Sequence, residues 1–156
     1  MSHQPVIIVP WDFSDFSATA LNFALERHPD ADVHVVCVLE KPNPYASEWA
    51  WSEETEAEAI QKSVEAFKQS PQAPEGHSYR FTSLFGDPAS EIVRLANDLR
   101  ADSIIMSTHG RTGLKKWMLG SVAQRVTEQA RCPVCLLPAT WVEANSNDKP
   151  TMQSAT

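Results

Sequence analysis

Four uninterrupted apolar residues, Val6–Ile7–Ile8–Val9, give way to Pro10-Trp11-Asp12-Phe13-Ser14. A short continuous apolar run of this kind predicts a strand buried on both faces, here Pro5–Trp11, ending in a turn. The period then changes: Ala18, Leu21, Ala24 and Leu25 recur at i, i+3, i+6 and i+7, which predicts a helix from Ser17 to about His28, stopped by Pro29. Val33–Leu39 returns to strand. Lys41 to Ser52, with Pro42, Pro44, Tyr45, Trp49 and Trp51, reads as an irregular loop. Glu53, Glu54, Glu56 and Glu58 suit the positive N-terminal end of a second helix with an apolar face of Ala57, Ile60, Val64 and Phe67, ended by Ser70–Gly76. Ser78–Phe85 is a third strand. Asp87-Pro88 is a cap and first turn, followed by the helical stripe Ala89, Ile92, Val93, Ala96 and Leu99 up to Arg100. Ser103–Ser107 is a fourth strand, His109–Met118 a loop, Leu119, Val122, Ala123 and Val126 the buried face of a fourth helix, and Val134–Leu137 a fifth strand. From Ala139 the chain turns polar. Residues 1–138 are therefore expected to form one domain and 139–156 a flexible tail.

Strands alternating with helices predict an α/β fold, a five-stranded parallel sheet with helices on both faces, because each parallel crossover requires a right-handed connection. In such sheets ligands bind beyond the carboxyl ends of the strands, where strand order reverses. Two segments meet that condition: Pro10–Ser14 after the first strand and Ser107–Gly110 after the fourth. Composition narrows the function. The 156 residues carry 13 Lys+Arg against 20 Asp+Glu, a formal charge of −7, which excludes a basic nucleic-acid coat. No apolar run approaches the roughly 20 residues that cross a bilayer, and the first apolar run is too short for a secretory signal, so no membrane insertion is expected. Three cysteines, Cys37, Cys132 and Cys135, do not make a disulfide framework and suit a reducing, cytoplasmic compartment.

Gly110 and Gly120 are separated by nine residues, and Ser121 follows Gly120 where the fourth helix begins. Glycine lets main-chain N–H groups approach a ligand, and a helix start offers unpaired donors with partial positive charge. The arrangement reads as a phosphate cradle, with Arg111, Lys115 and Lys116 as nearby positive charge; ordinary loop and cap roles for the same residues remain the alternative. None of the five glycines belongs to a Walker A loop or a G-x-G-x-x-G fingerprint.

The stretch Ile104-Ile105-Met106-Ser107-Thr108-His109-Gly110-Arg111-Thr112-Gly113-Leu114, continued by Met118-Leu119-Gly120-Ser121-Val122 and Cys132-Pro133-Val134, resembles the signature of the universal stress protein family. Ile8–Ser14 is similar to that family's first strand and loop, and the resemblance covers roughly residues 5–138. It implies a Rossmann-like, adenine nucleotide alpha hydrolase-like fold and a homodimer paired through the fifth strand, Pro133–Leu137. It also implies binding of ATP, with Mg²⁺, by a regulatory or sensing module that has an unidentified protein partner. Against the binder pattern G-x-x-G-x9-G-[S/T], the second and third glycines are Gly110 and Gly120 and the hydroxyl residue is Ser121; Ser107 stands at the first glycine. The same match places Asp12 at the adenine or ribose, Pro10 in the turn, and main-chain groups of Val38 and Met106 beside the base. Ser107, His109 and Gly110 would border ribose and phosphates, and Gly120, Ser121 and Val122 would hold the phosphate tail. Slow ATP hydrolysis on the same scaffold and a nucleotide-free protein-interaction module are the alternatives, and no catalytic or metal-ligating residue is assigned.

Other signals carry less. Cys132-Pro133-Val134-Cys135 has C-x-x-C spacing, but it leaves a helix and enters a strand, where the two side chains should point to opposite faces. No second Cys or His pair completes a zinc site. His109 has the titration range of a general acid or base but no evident partner, so it reads as orienting a ligand or stabilising its loop. Asp12, Ser14 and Asp15 are candidates to help hold Mg²⁺ beside phosphates. Trp49, Trp51 and Trp117 are partner contacts, a lid, or plain hydrophobic cover.

Overall fold

The computed structural model describes residues 3–40, 55–110 and 118–146. The loop at 41–52, Glu53, Glu54, Trp49, Trp51, Arg111, Lys115, Lys116 and Trp117 lie outside the described residues, as does the expected tail at 147–156. The elements run β1 (Val6–Pro10), α1 (Asp15–Arg27), β2 (Asp32–Leu39), α2 (Glu56–Lys68), β3 (Arg80–Phe85), α3 (Pro88–Asp98), β4 (Ser103–Ser107), α4 (Ser121–Gln129), β5 (Val134–Leu137) and α5 (Ala139–Ser146). All strand pairs are parallel, in the order β3-β2-β1-β4-β5.

β1 lies at the centre, which explains its unbroken apolar run: Ile7, Ile8 and Val9 are at most 1% exposed because both sheet faces are covered. Ile7 and Val9 join Val33, Val35 and Ile105 in a core roofed by Leu21 of α1, Phe67 of α2 and Val142 of α5. Ile8 turns to the other face and meets Val36, Ile104 and Met106 beneath Ile92 of α3 and Val126 of α4. The chain thus winds outward from β1 to β3 on one face and returns across β1 to β4 and β5 on the other, as right-handed crossovers require.

Caps set the helix starts. Ser14 accepts from the Ser17 N–H, so α1 begins at Asp15, two residues before its apolar stripe suggests. Thr55 and Glu58 form a reciprocal capping box at α2, and Asp87 accepts from the Ser90 N–H at α3, with Pro88 in the first turn. Two expected faces need correction. In α2, Ala57 is exposed and Ile60 and Val64 are half-buried, while Ser63 is buried, its hydroxyl donating to the Ile60 carbonyl and lying 2.6 Å from the Ser83 hydroxyl of β3, from which it can accept. α2 covers the edge strand, so only a narrow strip of it reaches the core. In α4, Leu119 precedes the helix and is 40% exposed, leaving Ala123 and Val126 as the buried pair.

The polar stretch after 138 is a third correction: Ala139–Ser146 is helical, with Ala139 and Val142 buried and Trp141 edge-on to Phe23 of α1 at 5.2 Å. The apolar residues of this helix are too few to mark a helical stripe, and the polar run that begins at Asn145 hides this docking in the sequence. Replacing Val142, 2% exposed, by Ala is expected to lower unfolding free energy by about 1–3 kcal/mol in urea titrations. Exposed Thr140→Ala should stay within about 0.5 kcal/mol; equal effects would mean α5 is not docked.

Candidate functional site

β1 and β4 are neighbours whose chains leave in opposite directions, β1 into α1 on one face and β4 toward α4 on the other. Their carboxyl ends therefore part, and a cavity of about 300 Å³ opens there. All ten residues named as the sequence-predicted site line it. Pro10 and Asp12 come from the end of β1, Val38 from β2, Met106, Ser107, His109 and Gly110 from β4 and its loop, and Gly120, Ser121 and Val122 from the start of α4. Trp11, Val36, Glu40, Pro88, Ile92 and Thr108 line it too, outside that set. Pro88 carried a readable signal, since α3 begins after β3 at the same end of the sheet.

On the β1 side, Phe13 takes a left-handed backbone conformation, φ +64°, which costs an aromatic residue on the order of 1–3 kcal/mol. The turn it makes brings the Ser14 N–H to Asp12 Oδ1 at 3.0 Å and the Ser14 hydroxyl to the same oxygen at 2.5 Å. Asp12 is thereby held as an acceptor within its own loop while Ser14, the next turn's cap, orients it. Its other oxygen faces β4: a Cβ on Gly110 would stand 2.5 Å from Asp12 Oδ2. A side chain on Gly110 would therefore force the Asp12 carboxylate or one of the two loops to shift. Trp11, 3% exposed, packs edge-on to Phe67 at 4.9 Å, and its indole Nε1 has no hydrogen-bond partner.

On the β4 side, the Ser107 hydroxyl donates to the Leu137 carbonyl and accepts from the His109 N–H, both at 3.3 Å. The Thr108 N–H donates to the same Leu137 carbonyl at 3.1 Å. Among the described non-glycine residues only Phe13 and Arg100 have positive φ, so the backbone at Ser107 does not call for glycine. His109 is buried, its Nδ1 lies 2.8 Å from the Thr108 hydroxyl and its ring tilts against Phe16. These contacts fit a residue that holds the loop.

α4 begins differently from the other capped helices. Its N-cap, Gly120, makes no side-chain cap hydrogen bond, and the first backbone bond into the helix is Gln124 N–H to the Gly120 carbonyl at 2.9 Å. The N–H groups of Ser121, Val122 and Ala123 precede it, on residues that line the cavity. Such a helix end favours an anion. The Gly120 N–H itself donates to the Thr108 carbonyl at 2.8 Å, fastening the helix start to the β4 loop. At the start of α3, Asp87 is capped into its helix and bound by Arg125 of α4 at 2.7 and 2.8 Å. The Arg125 guanidinium and the Ser90 N–H hold the Asp87 carboxyl well below the usual carboxylate range.

Among the described residues no group of three His, Cys, Asp or Glu is placed to hold a metal ion. Cys132 and Cys135 pack against opposite faces of the sheet, and burial pushes the Cys132 thiol up, the reverse of a reactive thiolate. No described helix is long and apolar enough to cross a membrane.

The sequence model of the universal stress protein family matches residues 5–138. A universal stress protein of Methanocaldococcus jannaschii is 34% identical over 137 residues, covering 84% of this chain and 80% of the relative. The chain spans less than half, 41%, of a similar universal stress protein of Mycobacterium tuberculosis, at 27% identity over 76% of this chain. Among solved structures, a universal stress protein in complex with cAMP superposes with a TM-score of 0.64 at 18% identity, covering 87% of this chain and 98% of that one. One from Archaeoglobus fulgidus in complex with dAMP does so with a TM-score of 0.57 at 24% identity, again over 87% and 98%. These likenesses are to the fold.

Because the Asp12 carboxylate lies directly against Gly110, Gly110→Ala should destabilise the fold by about 1–3 kcal/mol. Adding Asp12→Ala should recover part of that loss, so that the two effects are not additive. Additive changes in urea midpoints would place the strain elsewhere.

Proposed function

The chain belongs to the universal stress protein family, and from that premise we propose that it binds an adenine nucleotide at the β1/β4 cavity, as a cytoplasmic, homodimeric regulatory or sensing module in stress response. The observation that carries the reading is the pairing of a helix end with no side-chain cap and a glycine–carboxylate contact on opposite sides of one cavity. A nucleotide has matching ends. Its phosphates suit the N–H groups at Gly120, Ser121 and Val122, with the Ser121 hydroxyl as a further donor. Its ribose hydroxyls or exocyclic amine suit the acceptor Asp12. The base lies between Pro10 and the main-chain groups of Val38 and Met106, and Ser107, His109 and Gly110 border the ribose and first phosphate. The neighbours in complex with cAMP and dAMP support the adenine class.

ATP with Mg²⁺ is the preferred ligand in this reading. Mg²⁺ would be carried largely by the phosphates and water. No side chain is assigned as a base for hydrolysis: His109, the one imidazole lining the cavity, is engaged in its loop. Ser107 does not close the site, because its hydroxyl is directed to Leu137 and to its own loop. The homodimer would form through β5, which pairs with β4 on one side and ends the sheet on the other.

Calorimetric titration of nucleotide-free protein with ATP and Mg²⁺ should give saturable binding, weakened by about tenfold or more in Gly120→Val with its fold verified by circular dichroism. Ser107→Gly should bind within about threefold of the wild type. Absence of saturation in the wild type would overturn the nucleotide reading, and a large gain in Ser107→Gly would show that the serine obstructs the site. Sedimentation velocity of the wild type should give a dimer; a single species of monomer mass would remove the β5 pairing.

A further inference from the structure

The start of α4 is held from two sides. On one, the Gly120 N–H is fastened to the Thr108 carbonyl at the end of β4. On the other, Arg125, one turn into the helix, reaches back toward the N-terminus, the direction in which helical side chains lean. It meets Asp87 at the start of α3 with Nη1 2.7 Å from Oδ1 and Nη2 2.8 Å from Oδ2. Asp87 is at the same time the N-cap of α3, accepting from the Ser90 N–H at 3.0 Å, and its neighbour Pro88 lines the cavity. One bidentate pair therefore joins the beginnings of two helices that both open on the same cavity. A planar guanidinium on a carboxylate fixes orientation as well as distance. With the partners 42% and 45% exposed, its direct worth to stability is small. Its effect is geometric.

We propose that Asp87 and Arg125 are positioning residues for the phosphate end of the site: a strut between α3 and α4 that aims the N–H groups of Ser121–Ala123 at the ligand's phosphate. This rests on the nucleotide reading above. The rival physical role is plain charge, in which Arg125 attracts phosphate and Asp87 repels it. The two roles differ in sign. If the pair acts by charge, removing Asp87 tightens phosphate binding and removing Arg125 loosens it; if it acts as a strut, either removal loosens it.

Affinities for adenosine, AMP and ATP, with adenosine followed by competition against AMP, decide between them. Asp87→Asn keeps a good N-cap and loses the ion pair, Arg125→Met loses both charge and fork, and Arg125→Lys keeps the charge without the fork; thermal melts confirm that each is folded. Each variant should weaken AMP and ATP by about threefold to tenfold, as misaiming one helix end would, and leave adenosine within about twofold. Asp87→Asn with Arg125→Met should be no worse than the weaker single variant. Opposite-signed effects of Asp87→Asn and Arg125→Met, equal losses for adenosine and AMP, or no change would each overturn the strut while leaving nucleotide binding intact. A wild type that binds none of the three ligands would overturn the nucleotide reading and the strut together.

Discussion

Parallel strands can be connected only by crossovers, and the crossovers of this sheet share one hand; the placement of everything else follows from that restriction. Because α1 and α2 cover one face and α3 and α4 the other, the chain must reverse across β1, and the two central strands must send their continuations apart. The gap that results cannot be packed shut by the elements that create it. Its walls are strand ends and helix starts, which are rich in main-chain donors and acceptors. A cavity at the carboxyl ends of β1 and β4 is thus a product of topology before any side chain is chosen.

Side chains then decide what kind of cavity it is. At α1, α2 and α3 one first-turn N–H, that of Ser17, Glu58 or Ser90, finds a side-chain acceptor in Ser14, Thr55 or Asp87. At α4 the cap is glycine, which offers no side-chain acceptor. Asp12, opposite, is held in a turn that forces Phe13 into an unfavourable backbone conformation. The strained turn that holds Asp12 and a helix start without a side-chain cap meet at the same cavity.

The readable parts of the sequence were those governed by local rules. β4 and β5 have the predicted limits because each apolar run is bounded by turn residues, and α3 begins at Asp87-Pro88 as its cap demands. The segments Pro10–Ser14 and Ser107–Gly110 and the residues Gly120 and Ser121 could be named because strand ends and glycine spacing are local, and the family resemblance added Val38, Met106 and Val122 and the role of Asp12. What escaped was long-range. Nothing near Gly110 in sequence announces the Asp12 carboxylate against it, and nothing near Arg125 announces Asp87. Ala57 was placed in the core by its period, but an edge strand offers too little surface for a full helical stripe, and buried Ser63 shows polar pairing replacing apolar contact there. Glu40 and Ile92 reach the cavity through tertiary placement, and the docking of α5 depends on the partner surface of α1.

That last docking separates two boundaries that sequence comparison treats as one. The family match ends at residue 138, yet Ala139 and Val142 are as buried as the strands they cover, and Trp141 closes over Phe23. A chain cut where the shared sequence stops would bare an apolar strip along α1 and Leu137. Such a surface invites association with any other apolar surface in solution. The family match and the packed core of this chain end at different residues, and fusions or truncations of this protein should be drawn to the second.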